Sequence, residues 1–363
     1  MVSMKDVARE AGVSQPAVSY AYNGSPKISK EMREHVFAVA ERLGYAGPDA
    51  RGRSLRSGKV GAIGLIVMDH LSYAFGDPWV MSLLKGISSV NELSNVALTL
   101  IPMNNQSIRQ NRKSPAVMPM RGLIDGLLVS TLPDDHPAIQ TIVQQQIPVV
   151  IIDSPAIPDV SYVGIDDKEA AKMQINHLIS LGHSHIGILV ERLIPDGFKG
   201  IVSLDRIQRS NEMIARKRVQ GYLEAASEAG IPTDSLTIYE VGGFDRVAGE
   251  KASEQLLDNP LITGVVATSD VMALACISVA RKRSFAVPKQ LSVVGFDDVP
   301  ESREFALTTI RQPTAEKGIY AAKLLMEHIA SGGSANPEKK IFPTELIVRN
   351  TTAVPGLRVS VKV

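Results

Sequence analysis

The sequence predicts two architectures in one chain. A small N-terminal all-α helix-turn-helix head precedes an α/β core of two lobes, each a doubly wound parallel sheet. Three observations carry this. Residues 6–20 read as two short helices joined by a glycine turn. From residue 60 onward, Val- and Ile-rich runs alternate with amphipathic segments. The strand-like runs, about ten in all, are too many for one compact sheet.

The head is justified residue by residue. Ala8 is small enough for a second helix to cross close by, and Gly12 stands where the turn needs positive φ. Ser14 is a natural N-cap, and Pro16 falls in the first turn, where a missing N–H costs little. Val13 and Val18 supply apolar anchors. Such a unit lays its second helix in the DNA major groove. Asn23-Gly24-Ser25 closes that helix with turn chemistry. Ser29 caps a third helix with Met32, Val36, Ala40 and Leu43 at helical spacing, and Gly44 ends it. A polar stretch rich in Gly and Arg follows at 45–59.

In the core, strands are expected at 60–67, 96–101, 126–129, 149–152, 186–190, 237–240, 264–267 and 291–295. Apolar on both faces, they suit central parallel strands. Helices are expected at 78–93, 135–146, 167–181, 212–230, 245–258, 270–284 and 314–330. Ile157-Pro158-Asp159 interrupts the pattern and sets a lobe break near 160–165. The long charged stretch 192–209 reads as a loop at a lobe edge.

At 363 residues the chain is too long for one ordinary core. Its 44% hydrophobic and 21% charged residues are those of a soluble globular protein. The net charge of +1 hides an asymmetry: residues 1–58 hold nine Lys/Arg against six acids, a net of +3, which leaves −2 for the rest. Arg51, Arg53, Arg56 and Lys59 cluster in the linker, as phosphate contact requires, though a charge run also suits a solvated surface. Cys276 is the single cysteine, so no intrachain disulfide forms. It reads as a core residue, and the reducing cytosol as the compartment. Lys5, Asp6, Arg9 and Glu10 argue against a signal peptide. No apolar run approaches the ~20 residues of a membrane helix. No Cys/His set has metal-ligand spacing, and His183 and His185 read as structural. A cytoplasmic protein with no metal, no cofactor and no membrane partner is expected.

Lys5-Asp6-Val7-Ala8, Ala11-Gly12-Val13-Ser14, Val18-Ser19, Asn23-Gly24, Leu43-Gly44-Tyr45 and Arg53-Ser54-Leu55-Arg56-Ser57-Gly58 resemble the amino-terminal pattern of the LacI/GalR family of bacterial transcription regulators. The resemblance continues through Val163-Gly164-Ile165-Asp166-Asp167, Gly295-Phe296-Asp297-Asp298 and Leu307-Thr308-Thr309-Ile310. It implies a helix-turn-helix domain at 1–47, a hinge helix or linker at 48–59, and an effector-binding and dimerisation domain at 60–363. That domain would be periplasmic-binding-protein-like, with an N-lobe of about 60–162 and 314–340 and a C-lobe of about 163–312 and 341–357. The tail carries no Leu heptad, so a homodimer is expected. The implied partners are operator DNA and a small-molecule effector, a sugar or nucleoside. The implied role is an allosteric repressor that binds a palindromic operator.

The residues expected to face DNA are Ser14, Gln15, Ala17, Ser19 and Tyr20 on the second helix, with Asn23 on a phosphate or simply ending the helix. Gln15 pairs with adenine. At the place of Tyr20 many family members carry Arg; Tyr20 offers one hydroxyl and a ring for a thymine methyl, or packs the head. In the hinge, Arg51, Arg53 and Ser54 flank Leu55, which by resemblance wedges the minor groove. Two departures stand out: Ala46-Gly47-Pro48 is one residue longer than the family spacing, and Gly52 sits inside the hinge helix.

Loops at the carboxyl ends of parallel strands face the cleft in such folds. Asp153, Ser269, Asp270 and Asp297 follow strands directly, and Arg218 stands in an Arg-x-x-Gly motif where the family's arginine binds effector. Asp77 and Trp79 replace a cleft-lining Asn-Pro-Phe segment, and Phe244 is a further candidate. Carboxylates and Arg with an aromatic platform describe a sugar or nucleoside site. The plainer readings are helix N-caps for Asp77 and Asp270, a turn for Asp297, and core for Trp79. A transporter's solute-binding protein would share the two lobes but not the DNA-binding head. An enzyme would need a nucleophile–base pair, a metal set or a phosphate loop, and none is read here.

Overall fold

A computed structural model describes residues 2–47, 59–68, 71–103 and 122–356. Residues 2–61 form one compact unit and the bulk of the chain from Ala62 forms a second.

The head holds three helices, α1 (Met4–Glu10), α2 (Gln15–Tyr22) and α3 (Lys30–Arg42). Each starts at a serine cap. Ser3 and Asp6 form a reciprocal capping box on α1, Ser14 accepts from the Ala17 N–H, and Ser29 accepts from the Met32 N–H. Gly12 takes φ +66° in the turn between α1 and α2. Val7, Ala8, Ala11, Val18, Ala21, Val36, Val39 and Ala40 make the core. The third helix is rotated slightly from the face expected: Val39 is buried, whereas Met32 is 39% exposed.

The second unit has two sheets. The first joins β1 (Ala62–Met68), β2 (Ala97–Met103), β3 (Gly126–Ser130), β4 (Val149–Ile152), β5 (Ser161–Ile165) and β12 (Lys339–Phe342) in the order β12-β5-β4-β3-β1-β2. All its pairings are parallel. The second joins β6 (Ile186–Val190), β7 (Gly200–Ile201), β8 (Leu236–Glu240), β9 (Gly264–Ala267), β10 (Ser292–Asp297), β11 (Thr308–Arg311) and β13 (Glu345–Ile347) in the order β13-β11-β10-β9-β6-β8-β7. Only its two edge strands, β13 and β7, run antiparallel to their neighbours. The chain crosses between sheets after β5, after β11 and after β12. The first crossing follows β5, which ends at Ile165. The third comes after Phe342, two residues later than expected.

The remaining helices are α4 (Leu71–Gly76), α5 (Pro78–Ser88), α6 (Ala138–Gln144), α7 (Asp167–Ser180), α8 (Leu204–Gln208), α9 (Met213–Glu228), α10 (Arg246–Leu256), α11 (Asp270–Lys282), α12 (Pro300–Glu304) and α13 (Thr314–Ala330). In the first lobe α5 and α13 meet backbone to backbone. A Cβ on Gly86 would lie 2.1 Å from the Ala315 carbonyl oxygen, and one on Gly318 would lie 2.6 Å from that of Leu83. This crossing fixes the start of α13, which reaches the site described below. His183 is structural: buried, it bonds Thr263 Oγ1 at 2.8 Å and Ser292 Oγ at 3.0 Å. Cys276 is buried in the second-lobe core. The stretch 192–209 is no mere edge loop. It holds β7 and α8, and Arg206 binds the fully buried Glu240 through Nε at 2.5 Å and Asp196 through Nη1 at 2.8 Å. A charged segment here folds inward because its carboxylates and guanidinium satisfy one another.

Candidate functional site: a cavity between the two lobes and a helix-turn-helix face

Strands β1, β3, β4, β6, β9, β10 and β11 end toward one crevice, so the residues at or just past those ends converge. A cavity of about 130 Å³ lies there. The first lobe contributes Asp77, Trp79, Ser130, Thr131 and Asp153; the second contributes Glu191, Arg192, Arg218, Phe244, Ser269 and Asp297, with Gln312 from the crossover. Three lining residues that are not glycine hold left-handed backbone: Thr131 at φ +54°, Asp153 at +64° and Asp297 at +121°. Such conformations cost of order 1–3 kcal/mol each and cluster where side chains are aimed for function.

Arg218 comes from the first turns of α9. Its Nε donates to Asp167 Oδ1 at 2.9 Å, its Nη1 donates to the Thr268 carbonyl, and its guanidinium lies 3.6 Å from the centre of the Phe296 ring. Asp297 accepts from Gln312 Nε2 at 2.5 Å. Burial pushes the Asp297 carboxyl well above the usual carboxylate range, partly offset by Arg218 and reinforced by Asp270 and Glu191. Glu191 accepts from Thr268 Oγ1 at 3.0 Å, and burial raises its carboxyl too. Asp153 Oδ2 accepts from the buried Lys317 ammonium at 2.6 Å, while its Oδ1 is buried with no protein donor. The Arg192 guanidinium lies over the Phe244 ring at 4.7 Å and bonds Glu212 at 2.7 Å.

Contacts between the lobes close the rim. The Asp134 N–H donates to the Asn211 carbonyl at 2.8 Å, Asn211 Nδ2 donates to Asp135 at 2.8 Å, and Arg216 pairs with Asp134 at 2.7 Å. On the other side the Tyr73 and Phe244 rings stand 5.5 Å apart.

Of the eight residues expected at the cleft, seven line this cavity. Asp77 does so while capping α5, accepting from the Trp79 and Val80 N–H groups. Trp79 packs on the first-lobe core and also faces the cavity. Ser269 caps α11. Asp270 is the correction. It is fully buried and does not face the cavity. Its carboxylate accepts from the Val299 N–H at 2.9 Å, Ser302 Oγ at 2.6 Å and Thr309 Oγ1 at 2.6 Å. As the residue after the cap it points back under β10 and clamps three segments of the second lobe.

Burial raises the Asp270 carboxyl to about 7 against those donors. A carboxyl raised in the folded state favours folding below its unfolded value and loses that contribution as pH rises through the folded one. The stability advantage of the wild type over Asp270→Asn is therefore expected to shrink between about pH 4 and pH 7. Urea unfolding at half-unit intervals checks this; a difference that grows with pH contradicts it.

Sequence reasoning missed Glu191, Arg192, Gln312 and Lys317. Glu191 follows β6 directly, the signal that picked out Asp153. Lys317 shares a helical stripe with the buried Ala321 and Leu325, and a lysine on an apolar stripe is itself a signal.

On the head, Ser14 and Gln15 are exposed at the start of α2, and Ala17, Ser19 and Tyr20 are half-exposed. Asn23 donates to Ser19 Oγ at 3.2 Å. Tyr22, not Tyr20, packs against Phe37 and Tyr45; the Tyr20 ring instead lies 5.3 Å from the Lys27 ammonium. Arg51, Arg53, Ser54 and Leu55 lie outside the described residues.

A helix-turn-helix head on a two-lobed α/β core defines a class, the DNA-binding regulators with a periplasmic-binding-protein-like core. Residues 3–47 match the model for bacterial regulatory proteins of the lacI family, and residues 175–352 match that for periplasmic binding protein-like domains. A transcriptional regulator of Mycobacterium tuberculosis is 36% identical across 97% of both chains. The transcriptional repressor CytR of Escherichia coli is 32% identical across 96% of both. The regulator CelR in complex with cellobiose superposes with a TM-score of 0.67 at 27% identity, covering 97% of this chain and 100% of that one. The chain belongs to the lacI family of bacterial transcription regulators. It is a DNA-binding transcription regulator of that family. Among the described residues no group of His, Cys, Asp and Glu could hold a metal ion, and no helix is long and apolar enough to cross a membrane.

Proposed function

We propose that the chain is a cytoplasmic, sequence-specific repressor that binds a palindromic operator as a homodimer and is controlled by a small metabolite held between its lobes. The metabolite is a phosphate-free polyhydroxylated molecule, a sugar or nucleoside. The observation that carries this reading is the cavity itself. It is walled by both lobes and rich in acceptors, with Asp153 Oδ1 and Ser130 Oγ buried and without protein partners. Buried acceptors of this kind are costly until a ligand hydroxyl donates to them. Trp79 and Phe244 offer apolar surface to a sugar ring, and Asp153, Asp297 and Arg218 are the polar groups assigned to hold it. The lining holds five carboxylates, Asp77, Asp153, Glu191, Glu212 and Asp297, against the guanidinium groups of Arg192 and Arg218. That balance disfavours a phosphate. The cellobiose complex of CelR and the repressor role of CytR agree with the reading.

On the DNA side, one helix-turn-helix per chain and the two-fold symmetry usual for such oligomers support a dimer on two half-sites. Ser14, Gln15, Ala17, Ser19 and Tyr20 are the residues assigned to base edges, while Asn23 contacts the backbone. Arg51, Arg53 and Ser54 hold phosphates around Leu55, which wedges the minor groove. Operator DNA selected from the genome with the full chain, then footprinted, tests this. A footprint over both half-sites is expected; one half-site bound by a monomer refutes it. In the same assay Leu55→Ala lowers specific affinity and leaves non-specific affinity nearly unchanged. If operator affinity is intact, the segment is only a tether. On the ligand side, equilibrium dialysis of paired sugars and sugar phosphates should give tighter binding for the unphosphorylated member. Tighter binding of the ester contradicts the assignment.

A further inference from the structure

Lys317 is fully buried at the start of α13, 5.3 Å from the centre of the Trp79 ring. Its ammonium donates to Asp153 Oδ2 at 2.6 Å and to Gln312 Oε1 at 2.6 Å. The Gln312 amide nitrogen in turn donates to Asp297 Oδ1 at 2.5 Å. These bonds form one unbroken line from the end of β4, in the first lobe, to the end of β10, in the second. It passes through Gln312, which stands on the crossover between β11 and α13.

We propose that Lys317 is a positioning residue that couples the two cavity carboxylates, Asp153 of the first lobe and Asp297 of the second, through Gln312. The amide chemistry dictates the direction. An ammonium only donates, so Gln312 must turn its carbonyl oxygen to Lys317 and its NH₂ to Asp297. Lys317 thereby fixes the amide's orientation and makes Asp297 an acceptor of that NH₂. The same ammonium occupies Asp153 Oδ2 and leaves Oδ1 as the buried oxygen without a protein donor, on a residue that lines the cavity. A ligand hydroxyl bound to Asp153 draws on the charge that Lys317 shares with Gln312, and the change is felt at Asp297. The line thus offers a route by which occupancy at one lobe sets the acceptor strength of the other. It deepens the effector-site reading, but its test needs no effector.

Around Asp153 stand Lys317, Tyr162 and Asp167; around Asp297 stand Gln312, Arg218, Asp270 and Glu191. Arg218 and Gln312 favour the ionised form of Asp297, while burial, Asp270 and Glu191 oppose it. Freeing the Gln312 amide removes one of the favourable contributions, so the Asp297 midpoint should rise.

The test is a double-mutant cycle on the full chain, carrying aspartate labelled with ¹³C at the carboxyl carbon and Asp297 assigned by its loss in Asp297→Asn. Lys317→Met and Gln312→Leu each raise the Asp297 titration midpoint, by about half a pH unit or more. The double variant shifts it by clearly less than the two singles combined, because both cut the same line. Additive shifts mean that Lys317 acts on Asp297 only as a distant charge, and they overturn the proposal, as does no shift in Lys317→Met. Cooperative thermal melting confirms that each variant is folded. Should Lys317→Met not fold, Lys317→Gln replaces it, with the same two outcomes. Because the readout is ligand-free, a cavity that takes no effector leaves this result intact, and a failed cycle leaves the effector reading standing.

Discussion

Arg218→Ala is expected to destabilise the second lobe by about 3–5 kcal/mol and to abolish effector binding. The guanidinium and Asp167 are both buried, at 8% and 1% side-chain exposure, and the bond between them is 2.9 Å. Removing the arginine leaves the Asp167 carboxylate in a site where burial already raises its carboxyl. It also removes the donor to Thr268 and the cation over Phe296. The Arg-x-x-Gly motif marked this arginine as a ligand group; the contacts show that it also holds β9 and α7 together. Arg218→Lys keeps the charge but not the fork, and should fall between the two. Urea unfolding and ligand titration, both well below the melting temperature, check the result. An Arg218→Ala protein with unchanged stability and normal effector affinity contradicts it.

The second large effect lies at the other end of the chain. Operator affinity is expected to fall by about 10³-fold or more between 50 and 200 mM salt. The basis is the concentration of positive charge in residues 1–58, where nine Lys/Arg face six acids while the rest of the chain is net negative. In the proposed dimer, two heads on one operator would place at least half a dozen of those cations on phosphates, each releasing counterions. Fluorescence anisotropy over a salt series gives the slope directly. A flat salt dependence contradicts electrostatic docking of the head.

Several elements of the fold were legible because one-dimensional chemistry fixes them. Ser14, Pro16 and Gly12 set the head's turn before any packing is known. The Val/Ile runs of β1, β4, β6 and β9 are buried along nearly their whole length, so their pattern is unmixed. Strands β5 and β11 escaped because Ser161, Thr308 and Thr309 are polar yet buried. His328 satisfies Ser161, Asp270 satisfies Thr309, and the Arg349 N–H donates to Thr308. Such partners lie tens to hundreds of residues away and leave no local trace.

The site divides the same way. Asp153 and Asp297 could be read from their places after strands. Asp270 has the same local signature, but its partners Ser302 and Thr309 draw it away from the cavity. Lys317 is placed by the α5–α13 crossing at Gly86 and Gly318, a tertiary fact. Glu191 carried the same after-strand signal as Asp153, whereas Arg192 was hidden by the charged stretch it opens, which reads as a lobe-edge loop until Arg206 is seen to meet Glu240.

The central claim is that a ligand between the lobes sets operator affinity. Its most direct measurement is the linkage between the two sites. With a ligand found by thermal-shift screening, operator affinity is measured with and without ligand, and ligand affinity with and without operator. The account predicts a change of about 5–150-fold, equal in both directions because coupling free energy is reciprocal. A ligand that saturates the cavity, losing affinity in Asp297→Ala, yet leaves operator affinity unchanged would contradict it.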